Sequence, residues 1–449
     1  MNRMWLLVIL PWSIVSGQNE ALTVPYEMLK LSNGLTVILH EDHTIPRVAV
    51  NMWYHVGSGH EKPGRTGFAH LFEHIMFEGS KNVPEGMFDV WLEAAGGDNN
   101  GSTNTDRTNY YETLPSNALE LALFLESDRM GYLLDAMSPA KVDGQRDVVK
   151  NERRQRYENQ PYGMVWITMA KALYPDSHPY SWPTIGSMED LSAASYEDVA
   201  EFFRKYYVSN NASLVIAGDI DAKETASLVA KWFGEIPIGA PVEPIDPPAA
   251  FLPAEKRLLL EDRVQLPRLY MAWLTPALYR PGDAEMDIAA NVLAGGKNSR
   301  LYKRLVYEMQ IAQDVSAFQF SAALSSSFVI VATAREGHTL AELEVVVQEE
   351  INRLKLEGPA ARELQRAVNQ FEAGFLGGLE TSAGKADQLN NYYVRTGNPD
   401  YFNEDLSRYQ AVQPLDVRAM MQSFLPDNAR VVLSVVPAGK PELAAVQSR

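Results

Sequence analysis

Residues 237–253, PIGAPVEPIDPPAAFLP, carry six prolines. Proline lacks an amide hydrogen and clashes with a preceding helical turn, so this stretch can form neither a regular helix nor a central strand. An extended linker over 237–255 is expected, with one domain over 18–236 and a second over 256–449. The two blocks echo each other. EDHTIPRVAVNMW (41–53) matches EDRVQLPRLYMAW (261–273), and YVSNNASLVIAGDI (207–220) matches FLPDNARVVLSVVP (424–437). Each block opens with alternating strand-like residues and closes with a strand rich in Val, Ile or Leu. Helical patterns lie between, at Ala118 to Leu134, Ser195 to Tyr206 and Thr339 to Leu356. The strands do not recur as regular βα units. The expected fold is therefore α+β: two homologous domains, each a mostly antiparallel sheet with helices packed on one face.

Composition narrows the function classes. A hydrophobic fraction of 46% belongs to a globular chain. A formal charge of −17 speaks against non-specific nucleic-acid binding and weakly favours basic peptide segments. The chain has no cysteine, which excludes disulfides, thiolate metal sites and cysteine nucleophiles. Arg3 precedes a nearly apolar run, Met4 to Val15, and small residues follow at Ser16 and Gly17. Residues 1–17 read as a secretory signal peptide, because the run is short of the ~20 residues that span a bilayer. A periplasmic or secreted protein without stable membrane insertion is expected.

The chemistry concentrates in GFAHLFEHIMFEGS, residues 67–80. His70 and His74 are four apart, hence neighbours on one helical face. Glu73 projects beside them, where it could take a proton from water without binding an ion itself. Two imidazoles, a carboxylate and one open position suit zinc. The alternative is a surface helix with chance polar residues. Against that, Phe68, Leu71, Phe72, Ile75 and Met76 make the segment apolar, and buried His and Glu are costly unless paired or bound. A third ligand must come from elsewhere. VDGQRDVVKNERRQRYE (142–158) reads as a helix whose inner face carries Val148, Val149 and Glu152. Gln145, seven before Glu152, shares that face.

His70-x-x-Glu73-His74 is the inverted zinc motif. The surrounding NGLTVILHEDHTIPRVAVNMWYHVGSGHEKPGRTGFAHLFEHIMFEGS resembles the opening of the pitrilysin–insulysin family of zinc peptidases. It is similar in particular to the short bacterial peptidases and mitochondrial processing peptidase subunits. The resemblance implies one Zn²⁺ held by His70, His74 and Glu152, with Glu73 as general base. The family usually has a second, assisting glutamate where this chain has Gln145, which cannot carry a negative charge. The resemblance further implies that Asn100, Gly101 and Ser102 lie on a sheet edge to which substrate adds as a strand.

The second block departs from the family. Its comparable helix, DIAANVLAGG (287–296), has no metal motif. Where active assemblies present an Arg and, seven residues later, a Tyr, this chain has Val306 and Gln313; Arg304 and Tyr307 are nearby. The expectation is a zinc metalloendopeptidase for peptides or unfolded polypeptides. It would be the zinc-bearing subunit of a heterodimer whose zinc-less homologue supplies the Arg/Tyr pair. A non-catalytic assembly subunit of the same fold is the alternative. The remaining histidines, His40, His43, His55, His60, His178 and His338, show no metal spacing.

Overall fold

The computed structural model describes residues 21–445; the stretch read as a signal peptide lies outside them. Eleven strands form two sheets among these residues. The first holds β1 (Glu27–Lys30), β2 (Thr36–Glu41), β3 (Arg47–Tyr54), β4 (Asp98–Thr103), β5 (Thr108–Pro115) and β6 (Ala212–Gly218), in the order β1-β2-β6-β3-β5-β4. The second holds β7 (Lys256–Asp262), β8 (Arg268–Thr275), β9 (Ala312–Phe320), β10 (Ser326–Ala334) and β11 (Val431–Pro437), in the order β7-β11-β8-β10-β9. Leaving out β1, the two orders are identical when each set is counted along the chain. Only β2 with β6, and β7 with β11, run parallel. Residues 237–253 form neither helix nor strand.

The echoed segments occupy matching places. 41–53 and 261–273 lead into β3 and β8; 207–220 and 424–437 contain the central strands β6 and β11. Those central strands are buried along their whole length. This explains why they read as apolar runs rather than alternations, since a strand covered on both faces has no wet side.

The expected cover of one face by helices is present, but the other face is covered too. Within each half, helices pack on one face of its own sheet. The opposite face receives a helix from the other half. Leu389 and Tyr392, on the helix Ser382–Thr396, pack against Ile38, Ala49, Val215 and Ala217 of the first sheet. In return, Val165, Met169 and Leu173, on the helix Val165–Leu173, pack against Tyr270, Val329 and Leu433 of the second sheet. The exchange is polar as well as apolar. Fully buried Asn390 accepts from Ser213 Oγ and donates to Asn51 O at 3.1 Å. Periodicity could not reveal this, because an amphipathic stripe does not say which sheet it will cover.

Candidate metal centre

The His70 helix spans Phe68–Ile75. Phe68, Leu71, Phe72 and Ile75 are buried in the first half's core, which leaves His70, Glu73 and His74 on the other, partly buried face. The helix begins at Gly67, whose φ of 90° favours glycine. A Cβ there would also meet Gly186 Cα at 2.9 Å. Glu61 caps the start: its carboxylate accepts from Gly67 N at 3.0 Å and Ala69 N at 2.8 Å. Burial pushes this carboxyl up to about 8, although the amide donors favour its charge.

Glu152 arrives on the helix Pro139–Arg153, started by Ser138 as N-cap and Pro139 in the first turn. Its Oε2 lies 3.2 Å from His74 Nε2 and 3.7 Å from His70 Nε2. One donor atom from each of the three falls within 4.8 Å of the others. Bonds of ~2.0–2.1 Å in tetrahedral geometry place ligand atoms about 3.3 Å apart, so both distances from Glu152 fit a common ion with small adjustment. The two rings are near perpendicular, at 85°. Burial first, then the neighbouring ring, lowers His70 to about 4. A hydrogen bond from His74, then the His70 and Arg156 charges, holds Glu152 below its usual range against a burial cost. Neutral imidazoles and an ionised carboxylate are the protonation states that bind a metal. The N₂O donor set suits zinc.

Glu73 stands next to this cluster, and burial raises its carboxyl while a hydrogen bond from Thr103 opposes the rise. An added Cβ on Gly101 would lie 3.1 Å from Glu73 Cγ, so the edge strand passes directly over it. In β4, Asn104 N donates inward to Arg107 O. Alternation along an antiparallel strand then turns Ser102 and Asn100 toward β5, and Gly101 and Thr103 toward the free edge. Gly101 N is instead satisfied locally by Asn100 Oδ1 at 2.8 Å. Asn100, Gly101 and Ser102 all lie on β4, the edge strand of the sheet, but of the three only the Gly101 backbone faces the open edge. Asn100 and Ser102 turn their backbones toward β5, and the Ser102 hydroxyl donates to Asn109 Oδ1 while its carbonyl accepts from the Arg107 side chain at 2.8 Å.

Gln145, which stands where the family usually has an assisting glutamate, is engaged elsewhere. Its Nε2 donates to Glu78 Oε1 at 2.5 Å, outside the three-residue cluster. In the second half, Val306 is buried and Gln313 is exposed on β9. Arg304 is tied to Glu349 and Glu350, and Tyr307 is exposed on a π-helical turn. Sequence reasoning missed Glu61, Thr103 and Arg107, which carry no motif and reach the site only through the fold.

A duplicated α+β fold with an inverted two-histidine helix and a distal carboxylate defines the inverzincin class of site. Residues 36–174 match "Insulinase (Peptidase family M16)" and residues 193–371 match "Peptidase M16 inactive domain". The chain belongs to the M16, insulinase-like family. The zinc protease PqqE of Helicobacter pylori is 28% identical over 384 residues, covering 84% of this chain and 86% of its own. The crystal structure of a protease from Helicobacter pylori superposes with a TM-score of 0.86 at 25% identity, over 92% of this chain and all of that one. The first half of the periplasmic protease PqqL from Escherichia coli shares the fold, with a TM-score of 0.77 at 18% identity over 95% and 96% of the two chains.

Proposed function

We propose that this chain is an exported zinc metalloendopeptidase acting on peptides or unfolded polypeptides. The observation that carries the reading is the convergence of His70, His74 and Glu152 beside Glu73, under a free sheet edge. Zinc, when bound by those three, would supply Lewis acidity, making water a nucleophile near neutral pH and drawing charge from a carbonyl. The chain's own residues do the rest. The edge of β4 would pair with the backbone of an extended peptide, Gly101 offering its N–H once Asn100 swings aside. That pairing orients the peptide bond while asking little of its sequence. Glu73, raised by burial, would take the proton from the attacking water and return it to the leaving amine. The open edge and the absence of bulky side chains at Gly101 favour extended substrates over folded ones.

Export is supported by the apolar N-terminal run, and by the periplasmic setting named for the Escherichia coli neighbour. No helix among the described residues is long and apolar enough to cross a membrane. With Val306 and Gln313 in the second half, the reading includes a homologous zinc-less partner that brings an Arg/Tyr pair to the substrate. The test is metal content and peptide hydrolysis of the purified chain, alone and with co-purifying protein. One zinc per chain, lost in His70→Ala and kept in Glu73→Gln while hydrolysis disappears in both, is expected. A folded, metal-free chain would leave the assembly-subunit reading standing instead. Full activity without any partner would remove the heterodimer.

A further inference from the structure

A cavity of about 710 Å³ lies between the two halves. Its near end adjoins the metal centre: Thr103, Arg107 and Tyr157 line it. Thr103 lies two residues along β4 from Gly101, which packs on Glu73, and Tyr157 stands in the turn that follows Glu152. Its far wall is aromatic and is built by both halves. Trp166 is carried there by the helix Val165–Leu173 that crosses onto the second sheet, and Phe320 ends β9. Their ring centroids are 5.2 Å apart at 90°, with Phe318 4.9 Å from Phe320. Trp166 is 41% exposed and Phe320 50%. Rings this large ordinarily bury more of their surface, so two left open in one recess mark a place for a ligand.

The charged groups along the cavity are already engaged by the protein. Arg395 donates to Asp106 at 3.2 Å. Arg107 donates to Ser102 O at 2.8 Å, and Asp387 accepts from Asn51 at 3.2 Å. Each charged side chain lining the cavity already has a hydrogen-bond partner within the protein. The overall acidity of the chain therefore does not make this recess a site for basic side chains, and two guanidinium groups oppose one. What remains unmatched is aromatic surface.

We propose that the cavity is a specificity subsite, in which an extended peptide paired with β4 places an aromatic side chain against Trp166 and Phe320. The proposal rests on the peptidase reading above and names its substrate class. The occupant is a substrate rather than a separate small molecule because the cavity continues the edge strand: Thr103 to Arg107 belong to the hairpin whose β4 limb passes over Glu73. At ~3.3 Å per residue, Thr103 lies about 7 Å from Gly101. The aromatic residue thus falls two or more positions from the bond cleaved. The volume fits a bulky side chain with flanking backbone, within the range of ordinary ligand pockets.

The experiment uses full-length chain and a fluorescently labelled peptide series in which one Phe is moved along an otherwise Ala/Gly/Ser background. Binding is read by anisotropy on Glu73→Gln, and cleavage on the unaltered chain. Phe at one position, two or more from the scissile bond, is expected to tighten binding at least tenfold over the Phe-free peptide. Trp166→Ala should abolish that preference, and Trp166→Phe should keep most of it while both variants bind the Phe-free peptide normally. Equal binding of all peptides, or a preference that survives Trp166→Ala, overturns the subsite. Cleavage without position preference would sink the subsite and leave the peptidase reading intact. Phe-selective binding without cleavage, with zinc and partner present, would do the reverse.

Discussion

Arg156 Nη1 lies 2.8 Å from Glu152 Oε1, the carboxylate oxygen that does not face the histidines. The pair spans i to i+4 at the point where the helix Pro139–Arg153 widens into the π-helical turn Arg154–Glu158. π-Helical turns often occur at functional sites. Here the turn brings a guanidinium behind the carboxylate and fixes which oxygen is left for His70 and His74.

Arg156→Ala should therefore weaken metal binding without unfolding the protein. Loss of a group that orients a ligand costs about tenfold or more in metal affinity. The guanidinium is 74% exposed, so its loss should change stability by only about 0–1 kcal/mol. Zinc competition against a chelator, with a thermal melt alongside, checks both. Unchanged affinity would show that Glu152 holds its pose unaided.

Acid should destabilise the fold through His55 and His60. Burial pushes both down to about 4. His60 Nδ1 accepts from Gly57 N at 3.1 Å, which requires an unprotonated nitrogen. In the unfolded chain both return to about 6.5. Between those pH values the unfolded state binds protons that the folded state does not, so stability rises from pH 4 to 6.5 and is lost on acidification. Each ring contributes on the order of 3 kcal/mol to this dependence. Glu61, raised to about 8, works in the opposite sense, so the variant comparison carries the test. Denaturant midpoints at pH 7 and pH 5 should fall less in His55→Gln than in the unaltered chain.

Arg129→Ala should cost about 3–5 kcal/mol, the usual result of stripping one partner from a buried ion pair. Arg129 is fully buried between Glu112, at 3.3 Å, and Glu126. Its guanidinium lies 4.2 Å from the Tyr110 ring centroid and 4.4 Å from that of Phe88. Tyr110 in turn donates to Phe72 O on the His70 helix at 3.3 Å. Burial and the Glu126 charge raise Glu112 well above its usual range, so one proton offsets part of the excess negative charge. Adding Glu112→Gln to Arg129→Ala should recover part of the loss. A melting temperature for Arg129→Ala close to the unaltered value would contradict the network's importance.

Cutting the 237–253 segment should not release the two halves. Each sheet is covered by a helix from the other half, and polar contacts such as Lys385 with Asp42 cross the same boundary. A protease site inserted at the prolines should give two fragments on a denaturing gel and one species on native size exclusion. Both halves should melt in a single transition. Fragments that separate in native buffer would mean the exchanged helices contribute little.

Much of the site was readable because it is local. His70, Glu73 and His74 fall on one turn, and the 3.6-residue period alone puts two imidazoles side by side. Glu152 was legible as an inward residue on its own helix. Its arrival at the same point depended on the packing of two helices. Gln145 shares the Glu152 face on paper, yet Glu78 offered it a nearer acceptor. Asn100 and Ser102 sit in the expected edge strand, but strand alternation turns both inward and leaves Gly101 at the edge.

The sequence by itself determined the duplication, the break at the prolines and the paired histidines, since all three follow from backbone chemistry and short-range periodicity. Only the tertiary structure decided which sheet each amphipathic helix would cover. That choice sent Val165–Leu173 and Ser382–Thr396 across to opposite halves, and so built a cavity from both. An apolar stripe is energetically satisfied by any complementary sheet face; shape and the buried polar contacts at Asn390 select one, and those exist only once the chain is folded.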